Sequence, residues 1–433
     1  MNTLDLFLKK LPASLRDQLY GVGGAIRDHI LIKRGQIRPL GDIDLACSLP
    51  PHAMLGAFEQ LGMKVVPTGL KHGTITVLCG DSKYEITSFR SEKGYSDFRH
   101  PDEVVFNVTL EEDLSRRDFT MNALAIPLAH MLHESWDPFL IDPFGGREDI
   151  HQKVIRCVGE PNERFTEDPL RMLRACRFAS QLDFEIHSLT LEAVAIKADL
   201  IRHVSRERIV DEFNKLLVTN SARGIEAAIQ TGLLDEIFES KSSCRSYFKE
   251  RPFIMKASCS IGERWYLLID WALKAHQFGS QESNLHHILS KFPLANREND
   301  LIRSLFHSQK IMASINYDTQ PQSEEKMHAI RLILSLIKHQ GLDPMAYMRV
   351  HSVTNPSLND LEPIWIQVLS TNPPLLIEDL ALKPSEIIQF YKLTPGSWIR
   401  SVQGYLLDHV LRKPHDNNEP ALRDLLHKYE IKA

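Results

Sequence analysis

GGAIRDHILIKRGQIRPLGDIDLAC, residues 23–47, puts a glycine pair at the head of a helix-like run and two aspartates one residue apart near its end. AIRDHILIKRG reads as a helix closed by Gly35, and DIDLACS as a strand. On a strand, residues two apart point to one face, so Asp42 and Asp44 can aim at the same place. Two hard oxygen donors on a rigid element suit Mg²⁺, which binds through one or two carboxylates plus substrate phosphates. An Asp-x-Asp by itself is more often a solvated strand edge. The glycines change that reading. Glycine lets backbone N–H groups approach a ligand closely, and a helix N-terminus offers unsatisfied donors and a positive dipole end. Arg27, on the first turn, can add a charge-assisted contact to phosphate. Gly23, Gly24, Arg27, Asp42 and Asp44 together describe a nucleoside triphosphate held between a helix and a metal ion.

Outward from this stretch, the first ~145 residues mix strand and helix patterns. PPHAMLGAFEQLG is a helix opened by proline and closed by glycine. GTITVLCG and KYEITSFR alternate as strands around Gly80-Asp81 and predict a hairpin. Glu85, on the second of these, is a candidate third carboxylate for a two-metal site; the competing reading is a solvent-facing strand glutamate. LSRRDFTMNALAI begins polar and turns apolar, as a buried helix would, and WDPFLIDPFGGREDI closes the segment as loop and turn. From about residue 150 the strand signals stop, and EDPLRMLRACRFASQLDF, RERIVDEFNKLLV and ARGIEAAIQTGLLDEIF carry helical spacing. The fold class that follows is α+β: a head with a mixed, largely antiparallel sheet, then an all-α remainder.

At 433 residues the chain is too long for one ordinary core. Its 43% hydrophobic and 25% charged content is that of a globular protein, with no apolar run long enough to span a bilayer. The amphipathic opening MNTLDLFLKKLPASLRDQL lacks the apolar core and cleavage site of a signal peptide. The six cysteines are scattered with no Cys-x-x-Cys pair, which suits a reduced, cytoplasmic protein without a zinc site. A net charge of -5 excludes a globally basic nucleic-acid binder and leaves only a local groove for any polyanion. His130, His133 and Glu134 could suggest a metal site, but a solvated loop is the expectation, because ligand clusters need defined geometry.

Two further motifs carry chemistry. In RRDFTMNAL, Arg117 and Asp118 offer a donor and an acceptor to a hydroxyl; the structural alternative is a salt bridge capping a helix. In EDPLRMLRACRFA, Asp168 and Arg171 are three apart, which on a helix would place them on one face. An aspartate accepts from an exocyclic amine, and an arginine donates to a ring nitrogen or carbonyl. Cytosine and adenine present an amine beside a ring acceptor, whereas guanine and uracil present a carbonyl beside an N–H. One Asp–Arg pair can therefore take C and A and refuse G and U without a template. Taken alone, such spacing is usually a surface ion pair.

GVGGAIRDHIL, GDIDLA, RRDFTMNALA, DPFGG and EDPLRMLRACRFA, in this order, resemble the successive motifs of the class II tRNA nucleotidyltransferases, the CCA-adding enzymes, which share a superfamily with bacterial poly(A) polymerases. The resemblance covers roughly the first half of the chain. It implies a nucleotidyltransferase head over residues 1–150, a helical neck for base selection over 151–220, a helical body over 221–320 and a tRNA-binding tail over 321–433. It implies that Gly24 and Arg27 hold the triphosphate and that Asp42 and Asp44 bind Mg²⁺. Arg117 and Asp118 would address the ribose, with Asn122 in the same pocket. Asp168 and Arg171 would read the base, with Arg174 and Arg177 nearby. VSRERIVDEFNKLL fits the motif that supports the pocket from behind, which gives Glu207, Glu212 and Lys215 structural roles. YSDFRHPDEVVF resembles the family's flexible loop, with Phe98 where glycine is usual.

The implied reaction is addition of C, C and A to the tRNA 3′ end from CTP and ATP, releasing pyrophosphate. Rival readings are a CC-adding or A-adding enzyme, a poly(A) polymerase, whose usual basic tail is missing here, and a silent RNA-binding relative. The last has no chemical need for Asp42, Asp44, Arg117 and Asp168.

Overall fold

The computed structural model describes residues 3–33, 35, 43–133, 136–219, 221–240, 244–250, 258–276, 282–314, 324–339, 341–354 and 361–431. Two short helices, α1 (Thr3–Lys10) and α2 (Ala13–Arg16), precede strand β1 (Leu19–Val22) and helix α3 (Gly24–Lys33). Next come β2 (Asp44–Cys47), α4 (Pro51–Gln60), β3 (Lys64–Gly69), β4 (Thr74–Cys79) and β5 (Ser82–Ser88). A small hairpin of β6 (Arg90–Lys93) and β7 (Glu103–Phe106), helix α5 (Leu110–Ser115) and strand β8 (Ala125–Pro127) complete the head, closed by α6 (Gly146–Gln152).

The main sheet runs β3-β4-β5-β2-β1-β8. Only β2–β5 is parallel; the other neighbours are antiparallel, as the alternating pattern predicts. One face carries Leu45, Ile75, Val77, Tyr84 and Ile86, all buried. Met54 and Phe58 of α4 and Phe7 of α1 cover that face, Phe7 stacking on Tyr84 at 4.2 Å between centroids. On the opposite face Val22, Ala46 and Ala125 pack with Phe89, Leu114, Ala123 and Val158. Asp44 belongs to this second face and escapes burial only because it begins β2.

Two local patterns mislead. The polar-to-apolar run 114–126 is not one helix: α5 ends at Ser115, a 3₁₀ turn spans Thr120–Asn122, and Ala125–Pro127 pairs onto β1. A short apolar run fits strand or helix equally, and the open edge of β1 decides it. The segment after β8 is solvated only in part: Leu132 and His133 are exposed, but Met131 and Trp136 are buried. Met131 fills the space left by Gly21, and buried Trp136 stacks on His29 at 3.5 Å between rings. His130 lies flat on Phe139 at 3.7 Å, and Glu134 falls outside the described residues. The DPFGG segment is a helix start: Asp142 accepts the N–H groups of Gly146 and Arg147 at 2.7 and 2.9 Å. Gly145 takes φ 74, and any Cβ on Gly146 would strike the Thr120 carbonyl.

Beyond the head, helices α7 (Pro161–Glu167), α8 (Leu170–Leu182), α9 (Ser188–Lys197), α10 (Arg206–Leu217) and α11 (Arg223–Thr231) follow. The only strand signal there is a two-residue parallel pairing of Val154–Ile155 with Glu185–Ile186 among the described residues. The buried residues of α8 and α10 recur at helical spacing, and α8 packs against both α10 and α11. Met1–Phe253 and Ala272–Pro293 gather into one compact unit, Ile254–Trp271 and Leu294–Ala433 into a second. The second unit has its own apolar core, with Leu382, Ile387, Val402, Leu406 and Leu422 buried together. In it, the buried Arg331 donates to the Leu411 and Arg412 carbonyls at 2.6 and 3.2 Å, a cation at a helix C-terminus where the dipole favours one.

Gly224 sets the approach of α11 to α8, since a Cβ there would overlap the Cys176 carbonyl while Gly224 N donates to Ser180 Oγ at 2.8 Å. Gly224→Ala is expected to lower the unfolding free energy by about 1–3 kcal/mol, the usual cost of overpacking. Denaturant unfolding measures this, and a loss below ~0.5 kcal/mol would mean that the two helices separate freely.

Candidate active site

Strand register builds the head's half of the site. In the β1–β2 ladder Val22 faces Asp44, so the chain enters the Gly23-Gly24 turn directly beside the Asp44 carboxylate. Gly23 holds φ 77, which favours glycine, and a Cβ on it would lie 2.9 Å from Arg117 Nη1 and push that guanidinium aside. One step along the parallel β2–β5 ladder from the Leu45–Ile86 pair sets exposed Glu85 next to Asp44 on the same sheet face. Asp42 lies outside the described residues. The carboxylates that are described thus offer hard oxygen donors at a strand mouth, a donor set that fits Mg²⁺.

Arg117 faces this corner. Its nearest carboxylate partner, Asp113 Oδ2, is 3.7 Å away, and its Nε is buried with no hydrogen-bond partner among the described residues. Burial is the largest influence on this guanidinium and draws its pKa below the ordinary value, against the opposing pull of Asp113, Asp44 and Asp118. A half-buried cation with a buried, unpartnered Nε beside a glycine turn is suited to an anion. Arg27 is more committed: it is 5% exposed, with Nη1 donating to Asn122 Oδ1 at 2.6 Å and Nε to Asp28 at 2.9 Å.

The side chains of Arg117 and Asp118 point to different places. The backbone turns them apart, Arg117 to the glycine turn and Asp118 inward to Asn122 Nδ2 at 3.0 Å and to Arg174 Nη2 at 2.6 Å. Burial pushes the Asp118 carboxyl up, but Arg174, the Asn122 amide and Arg171 outweigh it and hold it at about 2. From Arg174 the chain of alternating charge continues to the buried Glu212 of α10, which accepts from Arg177 Nε at 2.6 Å and from Lys215 Nζ at 3.2 Å. Glu212 therefore holds two arginines in place, as its position behind the pocket suggests. The Phe178 ring sits among three guanidiniums, 3.8 Å from Arg177, 5.1 Å from Arg27 and 5.6 Å from Arg174, each close enough for cation–π attraction.

Asp168 and Arg171 correct the sequence reading in one respect. Asp168 is not on the helix: it follows α7 with extended backbone, φ -141 and ψ 98, because the residue before a proline is pushed out of the α region. Its carboxylate pairs with Arg208, which lies on α10, at 2.8 and 3.2 Å. Arg171 is held separately, by Glu167 Oε2 at 2.7 Å and the Arg116 carbonyl at 3.1 Å. Arg208 and Phe178 are the residues the motif reading passes over. The signal for Arg208 is its four-residue spacing from Glu212, which puts both on one face of α10.

The β6–β7 hairpin carries the departure from the family pattern. Phe98 adopts φ 58, the left-handed conformation that glycine favours, and its ring stacks on His203 at 4.4 Å. The turn is kept, with an aromatic contact added, and Asp97 secures it by accepting from the N–H groups of Arg99 and His100.

A glycine turn beside a strand-borne carboxylate, backed by a mixed sheet and an arginine-rich helical neck, defines a nucleotidyltransferase. The poly A polymerase head domain matches residues 19–156, and the family described as the probable RNA and SrmB-binding site of polymerase A matches residues 183–243. The CCA-adding enzyme of Bacillus licheniformis is 34% identical over 98% of both chains, and that of Bacillus subtilis is 45% identical over 54% of this chain and 56% of its own. The crystal structure of the Bacillus stearothermophilus CCA-adding enzyme in complex with CTP superimposes with a TM-score of 0.68 at 26% identity, covering 99% of this chain and 98% of that one. The chain belongs to the CCA-adding enzyme family. No helix among the described residues is long and apolar enough to cross a membrane.

The Asp118 carboxyl gives a pH prediction. Its folded value of about 2 lies below the ordinary 3.8, so its contribution to stability is complete above 3.8 and fades as pH falls towards 2. Asp118→Asn should therefore be less stable than the native chain at neutral pH, with the gap narrowing on acidification through that window. Urea unfolding across the range measures it; a gap that stays constant would mean that Asp118 is not held ionised by Arg174.

Proposed function

We propose that this chain adds C, C and A to the 3′ end of tRNA without a nucleic-acid template, by attack of the tRNA 3′-hydroxyl on the α-phosphate of CTP or ATP. The new phosphodiester bond forms as the bond to the β-phosphate breaks, releasing pyrophosphate. The observation that carries this reading is the Val22–Asp44 pairing, which brings the glycine turn, a carboxylate and the under-partnered Arg117 to one corner.

In this reading Gly23, Gly24 and Arg117 hold the triphosphate, and Arg27 stiffens the turn from below. Asn122 and Asp118 brace the sugar end of the pocket. Asp168 accepts the exocyclic amine of cytosine or adenine while Arg171 donates to the neighbouring ring position, with Arg174 and Arg177 fixing the wall behind. Asp42, Asp44 and the neighbouring Glu85 would hold Mg²⁺. When bound, the ions supply activation of the hydroxyl and neutralisation of the departing pyrophosphate. The tRNA acceptor arm is gripped by shape and backbone contacts of the helical regions. Six buried cysteines outside any disulfide suit a reducing cytoplasm.

The test is incorporation of each NTP, singly and mixed, on transcripts ending at the discriminator base, at C and at CC, beside an unrelated RNA. Growth of the bare transcript by CC and then A, stopping there, is the expected result. Addition of CC alone or A alone would assign a partial enzyme, and a long A tract on the unrelated RNA a poly(A) polymerase. Asp42→Ala with Asp44→Ala is expected to abolish transfer with the fold intact by circular dichroism; retained turnover would remove the metal assignment. Asp168→Ala is expected to relax selection against G and U, measured as misincorporation ratios.

A further inference from the structure

Two residues from different helices meet at Asp168, and counting its lone pairs gives one of them a role. An ionised carboxylate offers about four acceptor positions, two on each oxygen. Asp168 Oδ1 accepts from Leu170 N–H at 3.2 Å and from Arg208 Nη1 at 3.2 Å, which fills it. Oδ2 accepts from Arg208 Nη2 at 2.8 Å and from no other described group. One acceptor position is left, on one oxygen, and the two-pronged grip fixes the carboxylate plane that carries it. The Arg208 guanidinium hydrogen-bonds to no other group among the described residues. Arg171 meanwhile takes its place from Glu167 and two main-chain carbonyls. The donor and the acceptor that face a base are thus set by independent supports.

We propose that Arg208 is a specificity-determining positioning residue: its bidentate hold on Asp168 reserves a single Oδ2 lone pair for one exocyclic amine. The inference rests on the reading of Asp168 as the group that meets the base. A clamped carboxylate with one open acceptor takes an amine N–H of cytosine or adenine and repels the carbonyl that guanine or uracil presents at the same edge. Released from Arg208, the carboxylate keeps only the Leu170 N–H, turns about its Cβ–Cγ bond and offers either oxygen to water or to a ring N–H. The amine-bearing bases then lose their advantage. Arg208 sits one helical turn before Glu212 on α10, so the helix that steadies Arg174 and Arg177 also steadies Asp168.

The experiment compares Arg208→Gln and Arg208→Lys with the native chain on a tRNA transcript ending at CC or at the discriminator base, reading kcat and KM for all four NTPs, with thermal unfolding alongside. Arg208→Gln is expected to raise KM for CTP and ATP on the order of tenfold, about one hydrogen-bonded charge contact. It should also raise UTP and GTP incorporation relative to CTP and ATP, with kcat at saturating CTP changed far less. Arg208→Lys keeps the charge without the fork, so it should recover part of KM and little of the discrimination. Equal losses for all four nucleotides with unchanged ratios, in either variant, would overturn the proposal and leave Arg208 a support of the fold. Asp168→Ala run in parallel separates the two levels. If it relaxes selection and the Arg208 variants do not, the positioning role fails alone; if it too leaves the ratios unchanged, base reading by Asp168 fails first.

Discussion

Asp118 and Arg174 are 56 residues apart in sequence and meet at 2.6 Å, and the rest of the site is arranged around that contact. Asp118 belongs to the head, where its neighbours Phe119 and Asn122 anchor it; Arg174 belongs to the first long neck helix. A buried carboxylate without a cation costs several kcal/mol, and Arg174, its side chain a third exposed, supplies that cation to Asp118. Each element therefore stabilises the other in one relative position. Asn122 carries the link on to Arg27 beneath the glycine turn, and Glu212 carries it back into α10. Arg27 beneath the glycine turn and the neck helices α8 and α10 are joined by one line of charge and amide contacts.

How far sequence reveals this depends on how local each signal is. The glycine pair, the strand that begins at Asp44 and the β4–β5 hairpin are readable because a turn residue or a two-residue alternation needs no partner elsewhere in the chain. The approach of Gly23 to Asp44 is not readable; it comes from strand register. The Asp168–Arg171 spacing misleads for a visible reason, since Pro169 lies between them and moves Asp168 off the helix. The misread run 114–126 fails differently: nothing in Ala123–Ile126 announces that β1 has an open edge to receive it. Arg208 is the hardest case, because its partner is 40 residues upstream and only a folded neck brings them together.

The hairpin shows local and tertiary preferences in conflict. Left-handed backbone at an aromatic residue costs of order 1 kcal/mol or more, and here the ring's stack on His203 offsets part of that. Glycine would satisfy the same turn without strain, but it would leave the loop with no side chain to set against the neck. Substitution at position 98 thus exchanges backbone ease for a tether.

A line of alternating charge also governs how this sequence can drift. Asp113, Arg116, Arg174, Glu212, Asp118 and Arg27 each touch a neighbour of opposite sign or a shared amide, so a lone reversal anywhere would strand two like charges in low dielectric. Tolerated changes must come as compensated pairs, or as steps through neutral residues at both ends of a contact. Between descendants of this chain, those positions should therefore vary together and rarely singly, while the exposed charges of the same helices wander independently.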